Sequence, residues 1–186
     1  MYTKDDCVCF WKTNQPYGWA SQWYASSFRG DIELHKGKGK QTVTFPGAEH
    51  WMMAHKAILF GDHAVARKVM ESQGVSSGDM RYVKQLGREV SNFNEKLWIQ
   101  ERDRIVLEGN LLKFRQNEDL KTKLMATGDK HIVEASPLDS IWGIGLAEDS
   151  AFGSSKKWGL NLLGKALVET RRILSEEKAQ QAGEQT

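Results

Sequence analysis

GAEHWMMAHKAILFGD, residues 47–62, is where this chain commits to helix. Pro46 and Gly47 offer an entry, Gly61 a stop, and Asp62 a cap for a following helix. Successive helical residues advance by about 100°, so Glu49, Met52 or Met53, and Lys56 fall on one stripe, with the two charges two turns apart. Their neighbours are too apolar for a simple surface pair, and a buried charge without partners costs several kcal/mol. Two readings follow: partners elsewhere in the fold answer both charges and the pair positions the helix, or the pair is reactive and lines a pocket. His50 and His55 are five apart rather than the four of an HExxH metal helix. His35, His63 and His131 complete no ligand spacing either, so these histidines are expected at the surface or satisfying local polar groups.

Upstream, the first 45 residues are rich in aromatics and turn formers and read as short strands and loops, with TVTF at 42–45 a strand and Gly37, Lys38 and Gly39 in a solvated hairpin or loop. Downstream, HAVARKVMESQG, MRYVKQLGREV and the long NEKLWIQERDRIVLEGNLLKFRQN continue the helical period. In the long segment Leu97, Trp98, Ile105, Leu112 and Phe114 form an apolar stripe among charges, as in an amphipathic surface helix. EDLKTKLMATGD adds a helix with a glycine stop; HIVEAS (131–136) and IWGIGL (141–146) then have the composition of strands around a Pro137 and Asp139 turn. LLGKALVETRRILSEEK makes a final helix. The expected fold class is α+β, predominantly helical, with a few short strands in one domain over 1–178 and a fraying tail over 179–186.

Charge and composition exclude more than they select. Lys plus Arg total 26 against 24 Asp plus Glu, a net charge of +2 that gives no general argument for nucleic acid or a membrane surface. No apolar run approaches the roughly 20 residues that cross a bilayer, and the N-terminus has no secretory pattern, so a cytoplasmic protein is expected. Cys7 and Cys9 are neither a disulfide framework nor a complete zinc site, and read as two thiols on or beside an early strand.

Three further clusters carry polar chemistry. In VEASPLDSIWGIGL, Glu134 and Asp139 flank the turn while Trp142, Gly143 and Gly145 offer an aromatic and a thin backbone wall. That combination suits a polar ring held against a stacking surface; it suits a β-turn with an Asp cap and a buried Trp equally. In KKWGLNLLGKAL, Trp158, Gly159 and Gly164 permit close packing at a helix start, and Asn161 is a helix cap or a ligand contact. Arg88 answers a phosphate or makes a surface ion pair.

In order, AEHWMMAHKAILFGD, KQLGREVSNFNEKLWIQERDRIVLEGNLLKFRQN, LMATGDKHIVEASPLDSIWGIGL and WGLNLLGKALVETR resemble the NADAR superfamily, the YbiA-like N-glycosidases, over roughly residues 10 to 175. The resemblance implies a mainly helical α+β domain that hydrolyses N-glycosidic bonds without metal or other cofactor. It implies as substrate a small riboside: a phosphorylated early intermediate of riboflavin biosynthesis, or ADP-ribose attached to guanine, free or within a nucleic acid. A module that binds ADP-ribose without turnover is the competing class.

Cleaving ribose C1′ from a base nitrogen develops positive charge on the sugar and negative charge on the base, so the site needs an anion and a proton source. On the family match Glu49 activates water or stabilises the sugar cation, and Asp139 is the second acid. Trp98 and Trp142 wall the base or ribose, and Glu134 fixes the loop or sugar. Lys56 either holds a hydroxyl or phosphate as an ammonium or, with its pKa lowered by burial, attacks C1′ to form an imine; the Glu49 carboxylate works against that lowering. On this reading Glu49 and Lys56 are one wall of a pocket completed by the Asp139 and Trp142 loop. The chain departs from the family where relatives carry Ser-Asn-Phe, having Gln22 and Trp23 instead, and where a Ser or Thr caps the Glu49 helix, having Gly47.

Overall fold

The computed structural model describes residues 2–153 and 157–183. Their contacts gather into two compact units, one from Gln22 to Asn117 and the other from the residues up to Ser21 together with those from Glu118 onward.

In the 22–117 unit, β2 (Phe28–Ile32) and β3 (Gln41–Phe45) pair antiparallel, with Phe28 opposite Phe45 and Ile32 opposite Gln41. Phe28, Gly30 and Ile32 are buried and Arg29 and Asp31 exposed, the period of two that a half-buried strand requires. The connection over 33–40 carries Gly37 and Gly39 at φ 78° and 87°. Four helices follow: α1 (Ala48–Leu59), α2 (His63–Glu71), α3 (Ser77–Arg88) and α4 (Glu95–Gln116). Asp62 caps α2 through the Val65 N–H, Ser76 and Asp79 form a capping box at α3, and Asn94 caps α4 through Leu97. Asp62 also accepts from the backbone and hydroxyl of Ser91, tying the α1–α2 turn to the α3–α4 loop.

The core of this unit is built on Trp51, in α1. Its ring lies 5.3 Å from Phe45, edge-on, and 6.3 Å from Phe28, and its indole N–H donates to the Ile105 carbonyl at 2.9 Å. Gly30 and Gly109 give it room: a Cβ at Gly109 would stand 2.5 Å from the indole Cδ1, and one at Gly30 would also meet the ring. The buried stripe of α4 is Ile105, Val106, Gly109, Asn110, Lys113 and Phe114, so a helix expected to be mainly a surface one buries an amide and an amine in its second half.

In the other unit, β1 (Cys7–Phe10) pairs parallel with β4 (His131–Glu134), Cys7 opposite His131 and Phe10 opposite Glu134. A 3-10 turn spans Gly18–Ala20, and α5 (Glu118–Met125), α6 (Glu148–Ala151) and α7 (Leu162–Gly183) complete the described elements. Cys7, Val133, Ala135, Ile144 and Ala151 form a cluster under Trp158 and Phe152. Both cysteines are free thiols, and burial first, then Glu148, pushes Cys9 up to about 12. The helix α7 runs through Gly183, past the tail boundary read at 179; residues 184–186 lie outside the described ones. The strand expected over IWGIGL is absent. That stretch is irregular because its amides bond outward in different directions: Ile144 N–H to the Glu134 carbonyl at 2.9 Å and Gly145 N–H to that of Asp139 at 2.9 Å. Among the described residues no helix is long and apolar enough to cross a membrane.

Candidate active site

The entry to α1 explains Gly47. As N-cap it contributes no side-chain bond, and the Gln22 carbonyl takes the Glu49 N–H at 3.1 Å, one of the donors a cap would otherwise satisfy. A Cβ at Gly47 would stand 3.2 Å from the Tyr24 carbonyl oxygen, so the glycine lets segment 22–24 lie against the helix start. Glu49 is 3% exposed in this first turn, where the helix dipole favours a carboxylate.

Lys56, two turns on, does not close onto Glu49. Its ammonium donates to the Gly87 carbonyl in the last turn of α3 at 2.7 Å and lies 4.6 Å from the Phe93 ring and 5.5 Å from that of Trp98. Both contacts favour a cation: carbonyls at a helix C-terminus and the faces of aromatic rings are negative. Burial, then the charge of Arg88, nevertheless pulls the amine below its ordinary range, with Glu49 opposing. The tension foreseen between burial and Glu49 is therefore settled on the side of burial, reinforced by an arginine. Gly87 is needed here, since a Cβ would run into the Met53 thioether.

The structure thus gathers Glu49, Lys56, Arg88 and Trp98 around one side of α1. Arg88 is exposed, and Trp98, partly buried, is in the first turn of α4. His50 breaks the expectation of a surface or satisfied histidine. It is wholly buried with neither ring nitrogen hydrogen-bonded, and desolvation pushes it down to about 4. His55 also has an unpartnered Nε2, packs on Trp51 at 3.9 Å between centroids, and is lowered to about 4, first by burial and then by Arg104. Both rings are held neutral by desolvation, His50 in the core and His55 partly buried against Trp51.

Polar residues missed in the sequence lie in the core of the same unit. Asn110 donates to the Val106 carbonyl at 2.9 Å and to the Gln22 amide oxygen at 3.4 Å. Lys113 is wholly buried, 5.8 Å from the Tyr24 ring and 5.2 Å from that of Phe114, and desolvation pushes it down to about 7. The spacing 106, 109, 110, 113 places both on the core stripe, which was the available signal.

The remaining expected residues belong to the other unit and build a loop. Asp139 accepts from the Ile141 and Trp142 N–H groups at 2.9 and 2.8 Å with one carboxylate oxygen. Gly143 packs so closely that a Cβ would stand 2.6 Å from the Glu134 carbonyl oxygen. Asn161, at φ 51°, works as a clamp: its amide donates to the Ile132 carbonyl at 2.9 Å and accepts the Glu134 N–H at 3.0 Å, extending the edge of β4 with a side chain. Trp158 spends its indole N–H on the Ala151 carbonyl at 2.8 Å. Asn161 and Trp158 line a groove of about 300 Å³ with Tyr2 and His131. A cavity of about 540 Å³ in the same unit, walled by Trp11, Tyr17, Cys7 and Cys9, holds none of the expected site residues. A groove of about 550 Å³ in the 22–117 unit is lined by Trp51 and His55, on the side of α1 away from Glu49.

A NADAR domain family model matches residues 9–175. The chain belongs to the NADAR family. An N-glycosidase of Acanthamoeba polyphaga mimivirus is 45% identical over 81% of this chain and 84% of its own length. The N-glycosidase YbiA of Escherichia coli is 29% identical over 94% and 92%. The NMR structure of Escherichia coli YbiA matches with a TM-score of 0.70 at 25% identity, covering 96% of this chain and 90% of that one. Family and relatives together place this NADAR chain among hydrolases of the N-glycosidase class, with the compact α+β fold of YbiA.

Proposed function

We propose that this NADAR hydrolase releases a base from a phosphorylated or ADP-ribosylated riboside, with Glu49 and Lys56 carrying the chemistry. The observation that supports it most is the disposition of that pair. A carboxylate buried at a helix start faces the same side as an amine that is held by the Gly87 carbonyl rather than by the carboxylate. Lys56 is held by the last turn of α3, so the amine is positioned independently of the Glu49 carboxylate.

In the reaction the water oxygen bonds to C1′ and the C1′–N bond breaks. Its electron pair stays on the base nitrogen, which takes a proton from solvent in exchange for the one Glu49 removes from water and later releases, while the second water hydrogen remains on the new sugar hydroxyl. Glu49 stabilises the cationic sugar and receives the proton lost by water; a buried carboxylate does this more strongly than an exposed one. Trp98, beside Lys56, offers a flat face to ribose or base. Arg88 adds a cation for a phosphate. Asp139, by contrast, has one oxygen committed to two loop amides, so its part in the reading is to shape the loop that presents Trp142. Residues 1–178 act as one functional domain in this proposal, supported by a family match over residues 9–175 that runs through both units.

The substrates considered are ADP-ribosylated guanine or another nucleobase, free or in nucleic acid, and the phosphorylated ribosyl intermediates of riboflavin synthesis. Chromatography of free base released from a panel of ribosyl-pyrimidines and ADP-ribosyl-guanosine tests the reading. Wild type is expected to release base from at least one, and Glu49→Gln to lose 10²-fold or more. Binding of ADP-ribose with no base released from any member would make the protein a binding module instead.

A further inference from the structure

The cavity of about 540 Å³ beside β1, in the unit made of the residues up to Ser21 and from Glu118 onward, has no part in the function proposed above. Its aromatic wall is set by a closed turn. The Gln15 N–H donates to the Lys12 carbonyl at 3.1 Å and the Gly18 N–H to that of Gln15 at 2.9 Å, so residues 12–18 fold back and bring Trp11 and Tyr17 to the same cavity. Gly18 allows this, since a Cβ there would run into the Thr13 carbonyl. Tyr17, 45% exposed, is braced edge-on by the buried Trp19 at 6.4 Å between centroids. Lys12 lies over the Trp11 ring, its ammonium 4.6 Å from the centre, and is not itself among the walls.

The charge balance of the remaining walls is uneven. Asp5, Glu148 and Asp149 contribute three carboxylates against one ammonium, that of Lys4. Glu148 is paired with Lys4 at 2.9 Å, whereas among the described residues neither Asp5 nor Asp149 has a cation within ion-pair distance. Cys7 and Cys9, two apart on β1, share one face of the strand and line the same cavity. Cys7 is 8% exposed, and its thiol has no hydrogen-bond partner among the described residues. Both thiols are raised by burial first and by neighbouring negative charge second, Asp6 for Cys7 and Glu148 for Cys9, so both are neutral. Among the described residues no group of His, Cys, Asp and Glu is placed to hold a metal ion, so the carboxylates act here as a field rather than as chelators.

We infer that this cavity binds a small organic cation, an ammonium carrying methyl or methylene groups, with Trp11 and Tyr17 against its alkyl surface and Asp5 and Asp149 supplying the counter-charge. Aromatic faces are negative and attract a cation, most effectively one whose alkyl groups also gain from leaving water. The neutral thiols and Ala135 give that alkyl surface an apolar floor. An anion would be repelled by the two unpaired carboxylates, and an uncharged ligand would gain nothing from them. The volume lies within the range of small-molecule sites, about 300–1,000 Å³. None of these residues belongs to the Glu49 and Lys56 chemistry, so the inference stands or falls independently of the proposed hydrolysis.

NMR titration of the isotope-labelled full chain with choline, and with neohexyl alcohol as its uncharged isostere, tests it. Choline should move the Trp11 indole N–H and the amides of Cys9 and Tyr17 to saturation, and bind about tenfold more tightly than the isostere. Asp149→Asn, at an exposed position, should weaken choline by about five- to tenfold and leave neohexyl alcohol unchanged. Tyr17→Asn, which keeps a residue suited to φ 59°, should weaken choline by a similar factor, while Tyr17→Phe retains most of the affinity. The amide spectrum of each variant reports its fold in the same experiment. Equal affinity for the two ligands would make this an apolar cavity only and overturn the inference. So would shifts that never saturate, or choline binding that neither Asp149→Asn nor Tyr17→Asn weakens.

Discussion

Gly109→Ala sets helix propensity against packing. In an isolated helix the change would favour α4 by about 1 kcal/mol. In this fold the new methyl would stand 2.5 Å from the Trp51 Cδ1, 3.0 Å from Cγ and 3.1 Å from Nε1, so the indole or α4 has to move. The indole has little freedom, with Gly30 pressed against its ring, Phe45 edge-on at 5.3 Å and His55 packed at 3.9 Å. Overpacking of this kind costs about 1–3 kcal/mol, and tilting the ring away from Ile105 leaves a buried N–H unsatisfied for about 1–3 more. Subtracting the propensity gain gives a net destabilisation of about 1–5 kcal/mol. For a chain of this size that lowers Tm by very roughly 2–4 °C per kcal/mol. Urea and thermal unfolding followed by circular dichroism measure it. Gly78→Ala is the comparison, because a Cβ there meets its nearest atom, the Ser76 hydroxyl oxygen, at 3.5 Å; it should be neutral or stabilising. The double variant with Trp51→Phe should recover part of the Gly109→Ala loss. If Gly109→Ala is as stable as wild type, the indole is not wedged between two glycines and the account of the core is wrong.

Three further perturbations address the site and its support. Lys56→Arg keeps a cation near Gly87 but removes the amine; if Lys56 forms an imine, wild-type kcat/KM rises with pH through the lowered amine pKa and borohydride with substrate yields a Lys56 adduct by mass analysis. Full activity of Lys56→Arg together with no adduct would sink the covalent route. His50, held neutral down to about 4 against 6.5 for the free side chain, binds a proton in the unfolded chain first; its contribution is therefore present above pH 6.5 and lost as pH falls toward 4, by about 3 kcal/mol. His50→Leu should flatten part of that acid limb in pH-dependent urea unfolding, leaving the share of His55, and an unchanged limb would contradict the assignment. Asn161→Ala removes both side-chain bonds to β4 and puts alanine at φ 51°, for a loss of about 2–4 kcal/mol; Asn161→Gly relieves only the backbone part, so the two should differ by about 1 kcal/mol in denaturant unfolding.

Local chemistry was legible wherever a segment decides its own structure. The capping role of Asp62, the glycine-bearing connection between β2 and β3, and the helices after Pro46 follow from spacing, cap residues and turn formers within a few positions. The Glu49 and Lys56 stripe was legible for the same reason, since helical geometry fixes which residues share a face. IWGIGL is not a strand because β composition describes a preference for a pleated surface, and this stretch meets β4 only at its last residue, Glu134, while the next amide turns to Asp139. Lys113 and Asn110 were overlooked because charge and amide usually mark a solvated face, although their helical phase put them inside.

By itself, then, the sequence determined the helical period, the caps, the α+β class and the family, all of which depend on residue order along the chain. Tertiary structure decided which groups those elements meet. It turned Lys56 toward Gly87 rather than Glu49, spent Asn161 on β4, made His50 a neutral core ring and set Lys84 beside Trp23. The physical reason is that a polar side chain's charge state and bonding depend on desolvation and on partners far away in sequence, as with Lys56 and Gly87, 31 positions apart.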